Sequence, residues 1–209
     1  MKLQLAMDFC ENLDKTSKIL EEVAEYVDII EMGTPLLMEC GLPIVTQIKE
    51  KYPQHEVLAD LKIMDAGQYE AGVAFAAGAD IVTVMAATED ATIKAAVDCA
   101  NAYEKAIMAD LLAVKDLEAR IERLEEMGVH YICLHTSKDL QRPGMSMDEH
   151  FGKIQKHIKS SKIALAGGIT AESVDAYVRL EPEVIIVGEG IMTQGDRTAK
   201  AKLIREKMN

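Results

Sequence analysis

Short runs of β-branched and aliphatic residues recur along the chain, and each is followed by a stretch whose apolar positions fall on one face of a helix. The pattern predicts strands at Leu3–Met7, Val27–Glu31, Val57–Leu61, Ile81–Val84, Ala106–Leu111, Tyr131–Leu134, Ile163–Ala166 and Val184–Val187. Between them, Asn12–Ala24 places Leu13, Ser17, Leu20 and Ala24 on one stripe, and Asp116–Met127 does the same with Leu117, Ile121, Leu124 and Met127. The segments EEMGVHYICLH and FAAGADIVTV share one order of parts: a helix end, a glycine at the C-cap, then a buried strand.

Alternating strands and helices imply parallel pairing with right-handed crossovers. Eight such units predict a (β/α)8 barrel, a TIM barrel in one domain spanning residues 1–209, near the short limit for that fold. A doubly wound sheet competes. A dinucleotide-binding one would carry G-x-G-x-x-G after its first strand, and here that strand ends in Met7-Asp8-Phe9-Cys10. A solenoid fits less well, because the units share a period but no side-chain signature.

The composition, 49% hydrophobic and 28% charged, is that of a globular chain. With no Trp and three Phe, the core must rest on Ile, Val, Leu, Ala and Met. Acidic residues number 35 against 23 basic, a net charge of −12. Such a chain repels a phosphate backbone, so nucleic acid is not an expected partner, and any bound phosphate must be held locally. No apolar run approaches the roughly 20 residues needed to span a bilayer, so no membrane association is expected. The N-terminus lacks the apolar core and cleavage site of a signal peptide. Cys10, Cys40, Cys99 and Cys133 contain no C-x-x-C pair, and the expectation is reduced thiols in a cytoplasmic protein.

Active sites of such barrels form at the C-terminal strand ends. Read in order, those ends carry Asp8, Glu31, Asp60 with Lys62, Thr83, Asp110, His135, the pair Gly167-Gly168, and Gly188. In an extended strand, positions 60 and 62 face the same side, so an acid and a lysine meet inside the barrel. They form either a buried ion pair that fills the barrel or a cation poised to stabilise an oxyanion. Asp65 lies beyond that strand, able to reach back or to cross a subunit boundary. Glu31 and Asp60 end neighbouring strands and suit Mg²⁺, with Mn²⁺ as a substitute; the cysteines and scattered histidines make no zinc set. His55, His130, His150 and His157 are expected in loops or on helix surfaces, solvated, whereas His135 directly follows a buried run. Glycine turns at Gly167-Gly168 and Gly188 occupy the usual phosphate-binding loops of a barrel.

These residues, in this order, resemble the orotidine-5′-phosphate decarboxylase suprafamily, in the branch holding 3-hexulose-6-phosphate synthase and 3-keto-L-gulonate-6-phosphate decarboxylase. Its D-x-K-x-x-D pattern is present as Asp60-Leu61-Lys62-Ile63-Met64-Asp65, and the likeness extends through Val27–Pro35, Ala77–Val84 and Ala164–Ile169. Within the branch, Met64-Asp65-Ala66-Gly67, Met108-Ala109-Asp110-Leu111-Leu112 and His135-Thr136-Ser137-Lys138-Asp139-Leu140-Gln141 are similar to the synthase. Lys138 falls where the decarboxylase carries an arginine. Glu189 stands where similar proteins place a small residue or an arginine, and a carboxylate there repels a phosphate unless it points away.

The resemblance implies a Mg²⁺-dependent aldol condensation of formaldehyde with D-ribulose 5-phosphate, through an enediolate, in a homodimer with a shared site. It casts Glu31 and Asp60 as metal ligands, Lys62 as the organic cation, His135 as the base, and Asp65 as a catalytic residue of the partner's site. Asp8, Asp110 and Lys138 would meet substrate, with Asp65 and Asp110 as groups that order the lysine or bind hydroxyls. Gly167, Gly168, Gly188 and the neighbouring Glu189 would surround the phosphate. A Schiff base on Lys62 is disfavoured, because Asp60 and Asp65 favour its protonated form. The decarboxylase, which makes a similar enediolate by losing CO₂, and a barrel whose phosphate site Glu189 has spoiled are the other readings.

Overall fold

Eight parallel strands close into a barrel in the computed structural model, which describes residues 1–140, 151–152, 154–193 and 195–209. They are β1 Lys2–Met7, β2 Ile29–Met32, β3 Glu56–Ile63, β4 Ile81–Met85, β5 Ala106–Asp110, β6 Tyr131–His135, β7 Lys162–Ala166 and β8 Val184–Val187. Each pairs with the next, and β1 pairs back onto β8 with Lys2 opposite Val184. The expected (β/α)8 architecture is the one observed. Both faces of such strands are covered, so they read as continuous apolar runs. Ile29, Leu58, Ile81, Met108 and Val184 pack inside the barrel, while Leu3, Leu5, Ile30, Val57 and Val82 join the larger cluster under the helices.

The outer layer comprises α1 Leu13–Val23, α2 Thr34–Cys40, α3 Pro43–Lys51, α4 Gly67–Ala76, α5 Asp90–Ala102, α6 Leu117–Met127, α7 Val174–Val178, α8 Glu189–Met192 and α9 Arg197–Met208. Local chemistry sets their ends. Asn12 and Asp116 cap α1 and α6 by accepting from Lys15 N and Ala119 N, and Gly128, at φ 77°, ends α6. In α6 the predicted Ile121, Leu124 and Met127 are buried. The buried stripe of α1 is Thr16, Leu20 and Val23, one position round from the predicted one. Thr16 tolerates that site because its hydroxyl donates to Asn12 O.

Two strand ends differ from the predicted ones by more than one residue. β2 starts at Ile29, because Asp28 instead receives Leu3 N and two hydrogen bonds from Arg205 of α9. β3 runs on to Ile63 through an irregularity that separates the Ala59–Val82 and Ile63–Val84 pairings. All four cysteines are unpaired, and among the described residues no helix is long and apolar enough to cross a membrane.

Candidate active site

The irregularity in β3 builds the centre of the site. Lys62 has φ 48°, a left-handed conformation that costs a residue with a Cβ roughly 1–3 kcal/mol. Simple alternation along an extended strand therefore does not explain how Asp60 and Lys62 meet. A bulge at an active-site strand re-aims the lysine instead. Thr83 of β4 holds it: its Oγ1 accepts from Lys62 N at 2.9 Å and donates to Asp60 Oδ1 at 2.7 Å. Lys62 Nζ then pairs with Asp60 Oδ2 and lies 3.1 Å from Thr34 Oγ1, which donates to Asp60 Oδ2 at 2.8 Å.

These groups line a cavity of about 520 Å³ at the C-terminal strand ends. Asp8, Glu31, Asp60, Lys62, Asp110, His135, Lys138, Gly167, Gly168, Gly188 and Glu189 all border it, so the structure brings together every predicted site residue except Asp65. Asp65 is exposed, accepts from Ala66 N, and sits with Tyr69, Val73 and Tyr103 on the outer flank of α4 and α5.

Negative charge is in excess at this mouth. Burial, reinforced by Asp60, pushes the Glu31 carboxyl well above its usual range, although a hydrogen bond from Gln4 Nε2 at 2.6 Å opposes the shift. Burial and Asp60 likewise raise Asp8. Burial works against ionised Asp60 too, but the Lys62 charge and bonds from Lys62, Thr83 and Thr34 outweigh it, and Asp60 lies below the usual range. Lys62 is raised: burial opposes its charge, and Asp60, Glu31 and Asp110 more than offset that. Lys62 therefore stays an ammonium, and the acids that favour its charge are Asp60, Glu31 and Asp110 rather than the expected pair Asp60 and Asp65.

Among the described residues no cluster of three or more His, Cys, Asp or Glu side chains could hold a metal. A hard cation that takes two carboxylates and keeps waters or substrate oxygens needs no such cluster. Glu31 and Asp60 fit it by their chemistry, as two buried carboxylates on neighbouring strands that border the same cavity.

Asp110 is held against His135 rather than Lys62. Its Oδ2 is 2.8 Å from His135 Nδ1, while Oδ1 accepts from Leu112 N. A proton on Nδ1 directed to Asp110 leaves Nε2 as the basic nitrogen. Glu189 borders the same cavity but is paired: Lys138 Nζ donates to its Oε1 at 2.5 Å and lies 4.3 Å above the Phe9 ring. The repulsion expected of a carboxylate at the phosphate loops is thus met by a lysine from the loop after β6. The glycine turns are sterically required. Gly167 has φ 111°, and a Cβ there would lie 2.5 Å from Thr136 O; one at Gly190 would lie 2.2 Å from Ile169 O.

Three of the remaining histidines, His55, His130 and His157, are not the solvated groups expected of them. His55 is buried with Nε2 2.9 Å from Ala24 O, half-buried His130 accepts from Ile107 N, and His157 lies between Glu118 and Glu122. Each fills a polar gap between elements, which local sequence does not reveal. His150 and Gln141 lie outside the described residues. Sequence reasoning missed Gln4, read as ordinary strand, and Lys200 of α9, which borders the cavity beside Thr193. The inward parity of Gln4 was a usable signal; nothing local marks Lys200.

Residues 1–204 match the orotidine 5′-phosphate decarboxylase / HUMPS family. The chain belongs to that family. Among this family's members, the 3-hexulose-6-phosphate synthase of Bacillus subtilis is 44% identical over 206 residues, covering 99% of this chain and 98% of the relative. That of Staphylococcus epidermidis is 45% identical over 205 residues, covering 98% and 97%. The crystal structure of 3-hexulose-6-phosphate synthase from Salmonella typhimurium superposes with a TM-score of 0.96 at 40% identity, covering 100% of this chain and 98% of that one. The 3-keto-L-gulonate-6-phosphate decarboxylase of Vibrio cholerae, a more distant member, gives 0.88 at 26% identity, covering 99% and 96%.

Proposed function

We propose that the chain is a carbon–carbon lyase that condenses formaldehyde with D-ribulose 5-phosphate to D-arabino-hex-3-ulose 6-phosphate, reversibly; its relatives named 3-hexulose-6-phosphate synthase support the reading. The observation that carries this reading is Lys62, its ammonium held by Asp60 and Thr34 and its backbone amide by Thr83, in one cavity with the Asp110–His135 pair.

The reaction needs a proton removed from C1, beside the C2 ketone. His135 Nε2 takes it, with Asp110 stabilising the imidazolium through Nδ1. The resulting enediolate carries its negative charge on the C2 oxygen beside the C1 hydroxyl, and Lys62 supplies a fixed positive contact there. C1 then attacks the formaldehyde carbon, and His135 returns its proton to the new alkoxide. Mg²⁺, held by Glu31 and Asp60, would supply Lewis-acid stabilisation of the substrate oxygens when bound. Backbone around Gly167, Gly168 and Gly188 holds the phosphate, with Lys138 and Lys200 as nearby cations. Asp8 faces the sugar hydroxyls.

The reading includes a two-fold homodimer. Asp65 cannot serve the cavity of its own chain, and beside it Met64, Tyr69, Val73 and Tyr103 expose an apolar face. A partner covering that face would receive Asp65 at its own mouth. Mixing Lys62→Ala and Asp65→Ala chains tests this: activity returns if sites are shared, and stays absent despite subunit exchange if each site comes from one chain. Unpaired cysteines fit a reducing, cytoplasmic setting. The assignment itself is tested by assaying the purified protein with ribulose 5-phosphate plus formaldehyde, and separately with 3-keto-L-gulonate 6-phosphate. Turnover of the second substrate alone favours the decarboxylase, and turnover of neither favours a repurposed barrel.

A further inference from the structure

Gln4 is an oddity of the barrel interior. It comes from β1, fully buried opposite Ile29, in a layer otherwise filled by residues such as Ile29, Leu58, Ile81 and Val184. A leucine would suit that layer, and a buried amide is unfavourable unless it is hydrogen-bonded. Only one end of this amide is satisfied: Nε2 donates to Glu31 Oε2 at 2.6 Å, while the buried Oε1 has no partner among the described residues. An orphaned buried acceptor calls for an explanation.

The explanation lies with Glu31. Asp60 is held from three sides, by Lys62, Thr34 and Thr83, whereas Gln4 gives Glu31 its only hydrogen bond among the described residues. That bond anchors Oε2 and leaves Oε1 of Glu31 without a donor among the described residues, on a carboxylate that could otherwise rotate. We propose that Gln4 is a positioning residue that fixes the Glu31 carboxylate to receive a divalent cation. This rests on the reading of Glu31 and Asp60 as the cation's ligands. Partners that orient a ligating side chain typically govern metal affinity by 10–100-fold.

Mn²⁺ titration followed by electron paramagnetic resonance, without substrate, tests both levels on the full chain. Wild type should bind one Mn²⁺ per chain and Glu31→Gln should lose it. Gln4→Met and Gln4→Leu keep the volume but not the N–H; they should weaken Mn²⁺ binding roughly 10–100-fold. Their melting temperatures in EDTA should stay within about 4 °C of wild type. Wild-type Mn²⁺ affinity in both Gln4 variants overturns the proposal and leaves the metal site standing. Wild type that binds no Mn²⁺, or binds it equally well as Glu31→Gln, overturns the metal site and the proposal with it. If neither Gln4 variant folds, Gln4 is structural and the proposal falls.

Discussion

Lysine–carboxylate clusters occupy both ends of this barrel, and they are balanced differently. At the N-terminal end Asp80, just ahead of β4, receives Lys49 Nζ at 2.7 Å, Lys105 Nζ at 2.6 Å and Val57 N at 2.9 Å. Burial disfavours its charge, but those bonds outweigh it and the carboxyl lies below its usual range. At the C-terminal end Lys62 faces Asp60, Glu31, Asp110 and Asp8, and two of those acids, Glu31 and Asp8, are raised. One end gives a single acid two cations, and the other gives several acids one buried cation. The first arrangement ties α3, β3 and the residue before β5 together; an excess of buried acids at the strand ends, as in the second, marks a functional site.

The sharpest way to break that comparison is to remove the central charged residue at each end, the lysine at one and the acid at the other. Lys62→Ala should lower kcat by about 10²–10³-fold with the fold intact, by analogy with loss of an oxyanion donor. Steady-state kinetics beside circular dichroism checks it, and unchanged turnover in a folded variant removes Lys62 from the chemistry. Asp80→Ala should do the reverse. It strands two half-buried lysines, so stability should fall by roughly 1–3 kcal/mol while kcat holds. Denaturant melts and kinetics on one preparation read both quantities.

The two ends should also respond oppositely to pH. Asp80, depressed on folding, contributes stability that is present above its unfolded pKa near 4 and lost as pH falls. Glu31, raised on folding, acts in the other direction: metal-free protein should lose stability as pH rises above about 4.3 and Glu31 is forced to ionise. Thermal melts from pH 4 to 8 in EDTA should show that decline, and Mg²⁺ should lessen it. A flat profile would mean Glu31 is not under charge strain. The smallest effect belongs to the exposed Lys138–Glu189 pair. Glu189→Gln frees Lys138 for the phosphate and should lower KM for the sugar phosphate by about 2–5-fold, the scale of a surface ion pair. A raised KM would show that Glu189 holds Lys138 where the substrate needs it.

Much of this was legible along the chain, because periodicity is a local property. Eight buried runs with capped helices between them imply a parallel barrel, and the barrel implies that strand-end residues converge. Asp8, Glu31, Asp60, Lys62, Asp110 and His135 were identifiable on that ground alone, and they do line one cavity. Where the reading of hydrophobic periodicity failed, polar contacts decided the outcome. Thr16 displaced the stripe of α1 through its own backbone bond, and His55 proved buried because Ala24 O lies within its reach.

What the sequence by itself determined is therefore the set of groups at the mouth and the order in which they arrive, since strand period and side-chain parity depend on near neighbours. Only the tertiary structure decided how they pair. The left-handed turn at Lys62 exists because Thr83, 21 residues further on, binds both its amide and Asp60. Asp110 went to His135, Glu189 to Lys138, and Asp65 to the outer flank. Partners of that kind are chosen by barrel closure and by the competition of buried charges for few donors, and neither is written in any local stretch of the chain.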